Sequence, residues 1–345
     1  MSQLGVALLK PADHAAWDGF VNRAPDATFF HLSGWRNVIE TAFGHRTYYL
    51  AASRDGAIEG ILPLTHVKSR IFGNSLISNA FCVAGGPVAA SPDALRVLLD
   101  EAIRLGRELK VDCIEMRSSS GASDAAWVSR GDLYVEFRRP LDADPDVNLK
   151  AIPRKQRAMV RKGIAAGLTS HLDADAGRLH DVYAQSVHHL GTPVFARRYF
   201  ELLKTEFAAA CDIVTVTHGD NAVASVMNFY FRDEVLPYYG GGTRDARALA
   251  ANDFMYWEVM RRASARGCRV FDFGRSKIGT GAYNFKRYWG FEPTALSYQF
   301  YPIGRAQLPD NNPLSPKFRL MVSAWQRLPL FVTKLIGPLV VRSIG

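Results

Sequence analysis

The residues best suited to handling a carbonyl group are concentrated between Leu236 and Pro293, in LPYYGGGTRDARALAANDFMYWEVMRRASARGCRVFDFGRSKIGTGAYNFKRYWGFEP. Near its end, Gly279, Gly281 and Gly290 surround Tyr283, Phe285, Lys286, Arg287, Tyr288 and Trp289. This reads as a flexible loop carrying cations and aromatics together, a composition common on binding surfaces. A lysine held there supplies a fixed donor for negative charge developing on a carbonyl oxygen during acyl transfer, with no covalent nucleophile required. Upstream, Tyr239 ends a strand that runs into Gly240, Gly241 and Gly242 and then into a helix from about Asn252 to Arg266. Backbone N–H groups at such a junction can hold a phosphate or a carbonyl oxygen. The same residues also satisfy an ordinary loop-to-helix transition capped by Asn252 or Asp253. Asp272 and Arg275 flank the end of the strand CRVFDFG, either as a structural ion pair or as part of the site.

Several other chemistries lack their residues. There is no P-loop, GxSxG, HExxH or GxGxxG pattern, and His188-His189 have no matching ligand set, so they read as the end of a helix that stops at Gly191. Cys82, Cys113, Cys211 and Cys268 show no metal-site spacing and read as buried thiols, and no metal site is expected. The amino terminus has no basic start followed by a sustained apolar core, which with the cysteine usage makes a cytoplasmic setting the expectation. The formal net charge of +9 makes anionic partners plausible without selecting one.

The elements that must position these residues fall into a repeated order. From Thr47 the chain reads strand, Asp55-Gly56 turn, strand, glycine pair Gly85-Gly86, a helix from Pro92 to Lys110 and a strand VDCIEMRS. The second half runs DIVTVTH, a Gly219-Asp220-Asn221 turn, AVASVMNFYF, Gly240 to Gly242, a helix and CRVFDFG. The final strand of each half carries an acid, Glu115 or Asp272. At 345 residues the chain accommodates two such α/β domains. Between them a run with Lys150, Arg154, Lys155, Arg157, Arg161 and Lys162 and no acid reads as a basic helix, either solvated or facing an anion. After Pro302 a proline- and asparagine-rich linker leads to an apolar tail too interrupted to span a bilayer. That tail reads either as an interfacial segment resting on the inner membrane through 318–345 or as a segment docked on the domains.

The order DFG, glycine-spaced segment, FKRYWGFEP and final strand Tyr298 to Tyr301 resembles the end of the second domain in FemAB proteins. More narrowly it resembles the FemAB-related, BioF2-like type associated with exosortase/PEP-CTERM exopolysaccharide systems. FFHLSGW from Phe29, FCVAGGPV from Phe81 and HLGTPVFARRYF from His189 carry the same likeness, which covers about Thr28 to Pro302. The resemblance implies tandem GNAT-like (acyl-CoA N-acyltransferase) domains, α/β with mixed sheets flanked by helices. Their expected limits are 1–149 and 150–305, with 306–345 as linker and amphipathic tail.

The resemblance further implies that Phe285-Lys286 lies where the donor's reactive end meets an acceptor amine and that Tyr239 lines that channel. Asp272 completes the candidate catalytic set, with a structural Asp–Arg pair as the alternative, and Arg287, Tyr288, Gly240, Gly241, Gly242, Asn252, Arg275, Arg198 and Tyr199 are the candidate substrate-binding positions. No permanent cofactor is implied; the donor is either aminoacyl-tRNA or acyl-CoA, and the acceptor an amine-bearing envelope or saccharide compound. Arg247-Ala-Leu-Ala250-Ala-Asn252 is a degenerate version of the pyrophosphate turn of CoA-dependent enzymes, which ranks aminoacyl transfer first and CoA-dependent acyl transfer second. The helix after FFHLSGW lacks the lysine that peptidoglycan-bridge enzymes tend to carry, so the acceptor need not be a muropeptide. A non-catalytic, membrane-apposed scaffold of a polysaccharide-export system is the third alternative.

Overall fold

The computed structural model describes residues 4–69, 72–117, 126–304 and 316–344, with the backbone alone at residue 133 and at residues 316–320. The expected proline-rich linker lies outside the described residues. In chain order the first elements are β1 (Gly5–Leu8), α1 (His14–Arg23), α2 (Gly34–Phe43), β2 (Arg46–Arg54), β3 (Ala57–Ser69), β4 (Gly73–Ser78), β5 (Val88–Ala89), α3 (Pro92–Glu108) and β6 (Cys113–Arg117). Asp55 and Gly56 both take positive φ, 50° and 81°, which matches the right-handed twist of the strands they join, so β2 and β3 pair from Arg54↔Ala57 onward. The α3 helix starts where Ser91 accepts the amide of Ala94 and Pro92 occupies its first turn. Its Ala94, Leu98, Leu99, Ala102 and Leu105 recur at helical spacing and pack into a core with Leu50, Leu62, Leu76, Ile114 and Met116. Because α3 crosses over between them, β4 and β6 pair in parallel, Ser75↔Cys113 to Ile77↔Glu115.

The second set of elements is β7 (Val128–Pro140), α4 (Pro145–Ala151), α5 (Arg154–Ala165), β8 (Thr169–Leu172), α6 (Gly177–Leu190), α7 (Arg197–Phe207), β9 (Cys211–His218), β10 (Asn221–Phe231), β11 (Glu234–Gly242), α8 (Ala246–Leu249), α9 (Ala251–Ala265), β12 (Val270–Lys277) and α10 (Gly281–Tyr288). Its sheet runs β7-β12-β11-β10-β9-β8. As in the first half, antiparallel strands are followed by one parallel pair across a helix, here β11 and β12 across α9. Glu115 and Asp272 each stand third in the last strand of that pattern. The core joins Phe137, Val214, Val226, Met255, Val259, Phe271, Trp289 and Phe291.

The chain divides into compact units at 133/134, 294/295, 311/312 and 341/342, whereas the sequence suggested 149/150 and 305/306. The reason is an exchange of strands. Tyr134 to Pro140 of β7 pair with β12 in the second unit, while β13 (Pro293–Pro302) leaves it to pair with β6, Tyr298↔Arg117 to Pro302↔Cys113, in the first.

Of the two readings of the tail, the structure shows docking. The α11 (Pro316–Arg327) and α12 (Leu330–Val341) helices lie against α6. His188 Nε2 is 2.9 Å from the Leu328 carbonyl, Gln326 Nε2 donates to the His189 carbonyl, and Lys334 pairs with Asp181 at 2.6 Å. As expected, α6 ends at Gly191 with φ of 73°. Among the described residues no helix is long and apolar enough to cross a membrane. The four cysteines are buried and form no disulfide.

Candidate active site

The parallel ladder of β11 and β12 is two pairs long, Glu234↔Val270 and Val235↔Phe271. Beyond it the strands part. From Leu236 onward β11 stays with β10, whereas β12 follows β7 through Asp272↔Arg138 and Arg275↔Glu136. A sheet that splits in this way leaves one edge of each strand without a ladder partner along the wedge, where backbone groups are available to a ligand. Within the wedge β12 carries a bulge. Phe273 and Gly274 together oppose Phe137, Gly274 takes φ of 68°, and its amide donates to Asp272 Oδ1 at 2.7 Å.

The bulge turns two carbonyls toward Lys286. Its Nζ donates to the Gly274 carbonyl at 3.0 Å and to the Arg275 carbonyl at 3.1 Å, and lies 5.6 Å and 5.7 Å from the ring centroids of Phe137 and Phe273. An ammonium has three donors, so two fixed acceptors leave one N–H for a substrate oxygen. The segment that carries Lys286 is a helix and not the flexible loop expected from its glycines. Thr280 caps α10 by accepting the Tyr283 amide, Gly290 follows its end with φ of 79°, and Phe285 packs on Tyr256, Phe273 and Trp289.

Helix α10 is anchored from beneath. Trp289 is fully buried, and its Nε1 donates to Asp253 Oδ1 at 3.0 Å, an oxygen that also accepts Gln156 Nε2 at 2.6 Å. Asp253 therefore ties α5, α9 and α10 together and is not a cap. The α9 helix starts after Ala250, which takes the left-handed conformation. The α5 helix, the basic segment of the sequence, turns Val160 and Gly163 inward; Gly163 is required because a Cβ there would lie 2.7 Å from Phe254 Cβ.

Four charged groups act on one another beside the bulge. Burial pushes the Lys286 ammonium down to about 8, against the opposing pull of Asp272. Burial and the neighbouring Glu136 carboxylate raise Asp272, and burial raises Glu136 itself. Arg138 stands 3.9 Å from Asp272 and forms an ion pair with Glu234. The arrangement is a protonatable carboxyl pair beside a cation of lowered basicity, suited to holding negative charge on an oxygen and to taking a proton from an amine.

The sequence-derived candidates separate into groups. Lys286, Phe285, Asp272 and Arg275 come together at the bulge, where Arg275 stacks on Tyr134 at 4.3 Å. Tyr239 and Tyr199 form another group: both are buried, their hydroxyls are 2.7 Å apart, and Phe195 and Phe200 pack edge-on to Tyr239. Gly240, Gly241 and Gly242 pair with β10 and permit close packing. A Cβ on Gly241 would lie 2.4 Å from Ser186 Cβ, and one on Gly242 would lie 2.6 Å from Ala246 Cβ and 2.7 Å from Asn252 Oδ1. Asn252 Oδ1 and Thr243 Oγ1 beside it are buried without a hydrogen-bond partner. Arg198, Arg287 and Tyr288 are exposed.

Three participants were not found from the sequence. Glu136 and Arg138 belong to a strand whose partner lies far along the chain, so no local pattern marks them. Tyr256 stands 4.6 Å from the Phe273 ring with its hydroxyl 3.4 Å from the position of a Cβ on Gly240, linking α10 to the glycine strand. Its signal was the YW pair in the middle of α9.

Residues 150–287 match the family model for the Acetyltransferase (GNAT) domain. Among solved structures the chain is similar to FemX, with a TM-score of 0.67 at 14% identity over 92% of this chain and 100% of that one. It is similar to L-PGS from Bacillus licheniformis, with a TM-score of 0.55 at 12% identity over 93% and 98%. A tandem GNAT protein from the clavulanic acid biosynthesis pathway gives a TM-score of 0.55 at 13% identity over 88% and 100%. No curated protein sequence matches the chain. The expected fold class is thus met: an α/β chain with tandem GNAT-like domains. The match at residues 150–287 is to an acetyltransferase domain, and the likeness to the solved structures is one of fold.

Proposed function

We propose that the chain transfers an acyl or aminoacyl group directly from its donor to an amine, with Lys286 stabilising the oxyanion of the tetrahedral intermediate. The observation that carries this reading is the Lys286 ammonium held by the Gly274 and Arg275 carbonyls at 3.0 Å and 3.1 Å, on the strand that parts from β11 after Phe271. A donor carbonyl entering the wedge meets the remaining N–H of Lys286. The amine adds to the carbonyl carbon, the oxygen takes the charge, and the raised carboxyl pair of Asp272 and Glu136 takes the amine proton. Collapse then expels the tRNA ribose hydroxyl or the CoA thiol, which recovers that proton. The acceptor in this reading is an amine-bearing envelope or saccharide compound, as the FemAB resemblance implies.

A CoA-linked donor is the second reading, favoured by the GNAT match and by one feature of the site. Asn252 Oδ1 and Thr243 Oγ1 are buried acceptors without a donor at the start of α9, and a pantetheine amide or a ribose hydroxyl supplies one. Calorimetry of the full chain with acetyl-CoA and with charged tRNA, run in parallel, separates the donors. Direct transfer predicts that one of them binds and that Lys286→Met leaves this binding within a few-fold while abolishing most turnover. Turnover unchanged by Lys286→Met would refute the oxyanion role.

A further inference from the structure

The tail helix α12 is amphipathic with the wrong face outward for a segment held only by protein. Thr333, Gly337 and Val341, at four-residue spacing, are the buried residues of this helix. Gly337 fits closely, since a Cβ there would lie 2.9 Å from the Val194 carbonyl oxygen. Phe331, Leu335 and Leu339 repeat at the same spacing two positions away, which at 100° per residue is the opposite side of the helix. They are 73%, 75% and 69% exposed. A helix that docked to bury apolar surface would turn these three inward; here the small face packs and the large face does not. Leu190, 65% exposed, extends the apolar area from α6, between two residues that touch α11: His189, whose carbonyl accepts Gln326, and Gly191, packed against Val322.

The charge of the segment selects the occupant of this face. From Pro316 to Gly345 the sequence contains Lys317, Arg319, Arg327, Lys334 and Arg342 and no Asp or Glu. Of these, Arg327 is exposed at the end of α11 and Lys334 pairs with Asp181. A second copy of the chain would bring the same cations against each other across a two-fold interface, whereas anionic lipid headgroups would neutralise them. We infer that Phe331, Leu335 and Leu339 form a face of α12 that lies in the headgroup boundary of an anionic bilayer, anchoring the enzyme peripherally through a helix already fixed to α6. Because the helix is preformed, binding orders no new segment and the second unit is held in one orientation to the lipid surface.

The test is co-sedimentation of the full-length protein with vesicles of phosphatidylglycerol and phosphatidylcholine in equal parts, and with phosphatidylcholine alone. The wild type binds the anionic vesicles, and binding falls at least about tenfold on neutral vesicles, in Arg327→Glu and in the triple variant Phe331→Gln/Leu335→Gln/Leu339→Gln. Phe331, Leu335 and Leu339 are exposed, so the thermal midpoint of the triple variant stays at the wild-type value and a loss of binding is not a loss of fold. Failure of the wild type to bind, or undiminished binding by the triple variant, overturns the proposal. So does light scattering that finds a wild-type dimer and a monomeric triple variant, which would assign the face to a second copy.

Discussion

Replacing Lys286 by methionine should separate activity from stability, and the structure says by how much. Methionine keeps an unbranched stem between the rings of Phe137 and Phe273 but has no proton to donate. Losing a preorganised oxyanion donor lowers turnover by about 10²–10³, roughly 3–4 kcal/mol of transition-state stabilisation. Stability responds differently. Moving the ammonium from its ordinary 10.5 to about 8 means that folding disfavours the charge by roughly 3 kcal/mol, which the substitution relieves. Against that stand two hydrogen bonds from a charged donor to the Gly274 and Arg275 carbonyls, each contributing about 1.5 kcal/mol or more. The two nearly cancel, so the thermal midpoint should move by no more than a few degrees.

The assay is single-turnover release of thiol from acyl-CoA or of labelled amino acid from charged tRNA, alongside thermal unfolding of the same preparations. A large fall in midpoint that tracks the fall in rate would show Lys286 to be structural, and full activity would remove it from the chemistry. The pH profile sharpens the test. Oxyanion stabilisation needs the protonated amine, so wild-type activity declines as pH rises through about 8. Stability has the opposite slope in this region. Between about 8 and 10.5 the unfolded chain binds a proton at Lys286 that the folded chain has released, so the penalty present below 8 disappears and stability rises with pH. Both slopes should be absent from the methionine variant relative to the wild type.

Asp272→Asn and Glu136→Gln should each erase the acidic limb of the activity profile, because both carboxyls are raised and must lose a proton to act as base; an unchanged acidic limb in both variants assigns the base elsewhere. Asp253→Ala leaves Trp289 Nε1 and Gln156 Nε2 without their acceptor, which should cost roughly 2–3 kcal/mol in denaturant unfolding and loosen α10. Gly241→Val sets a side chain where even a Cβ lies 2.4 Å from Ser186 Cβ, and a loss of about 1–3 kcal/mol with unchanged secondary structure is expected by circular dichroism and urea titration.

What the sequence discloses about this fold is mostly local. The Asp55-Gly56 hairpin, the α3 stripe and the stop at Gly191 are each decided by a few neighbouring residues, and all appear in the structure where their chemistry puts them. The α10 helix was legible by the same rules. Thr280 followed three residues later by Tyr283 is a helix start, and Gly290 is a left-handed stop, yet the abundance of glycine outweighed the positions of those glycines. The unit boundary was not legible, because it depends on β7 and β13 exchanging units, and pairings such as Arg275↔Glu136 join residues more than a hundred positions apart. Glu136 and Arg138 were missed for the same reason. Nothing in VSRGDLYVEFRRP shows that its carboxylate would approach a lysine on a later helix.

The duplicated pattern also explains why the proposed chemistry falls in one unit only. In the second unit β12 runs past its two-pair ladder with β11 into a bulge whose carbonyls hold Lys286. In the first unit the equivalent strand β6 is met by its own chain. The amides of Gly85 and Gly86 both donate to the Arg117 carbonyl at 3.1 Å and 2.9 Å, and the Arg117 side chain is occupied by Glu115 and by the Cys82 carbonyl, each at 2.7 Å. Glu115, the positional counterpart of Asp272, therefore neutralises a buried arginine instead of facing an amine. A substitution that frees it, Arg117→Met, should cost several kcal/mol because the carboxylate is left without its partner, and it should create no second acyl-transfer site. Transfer that rises in that variant would contradict the assignment of the two units.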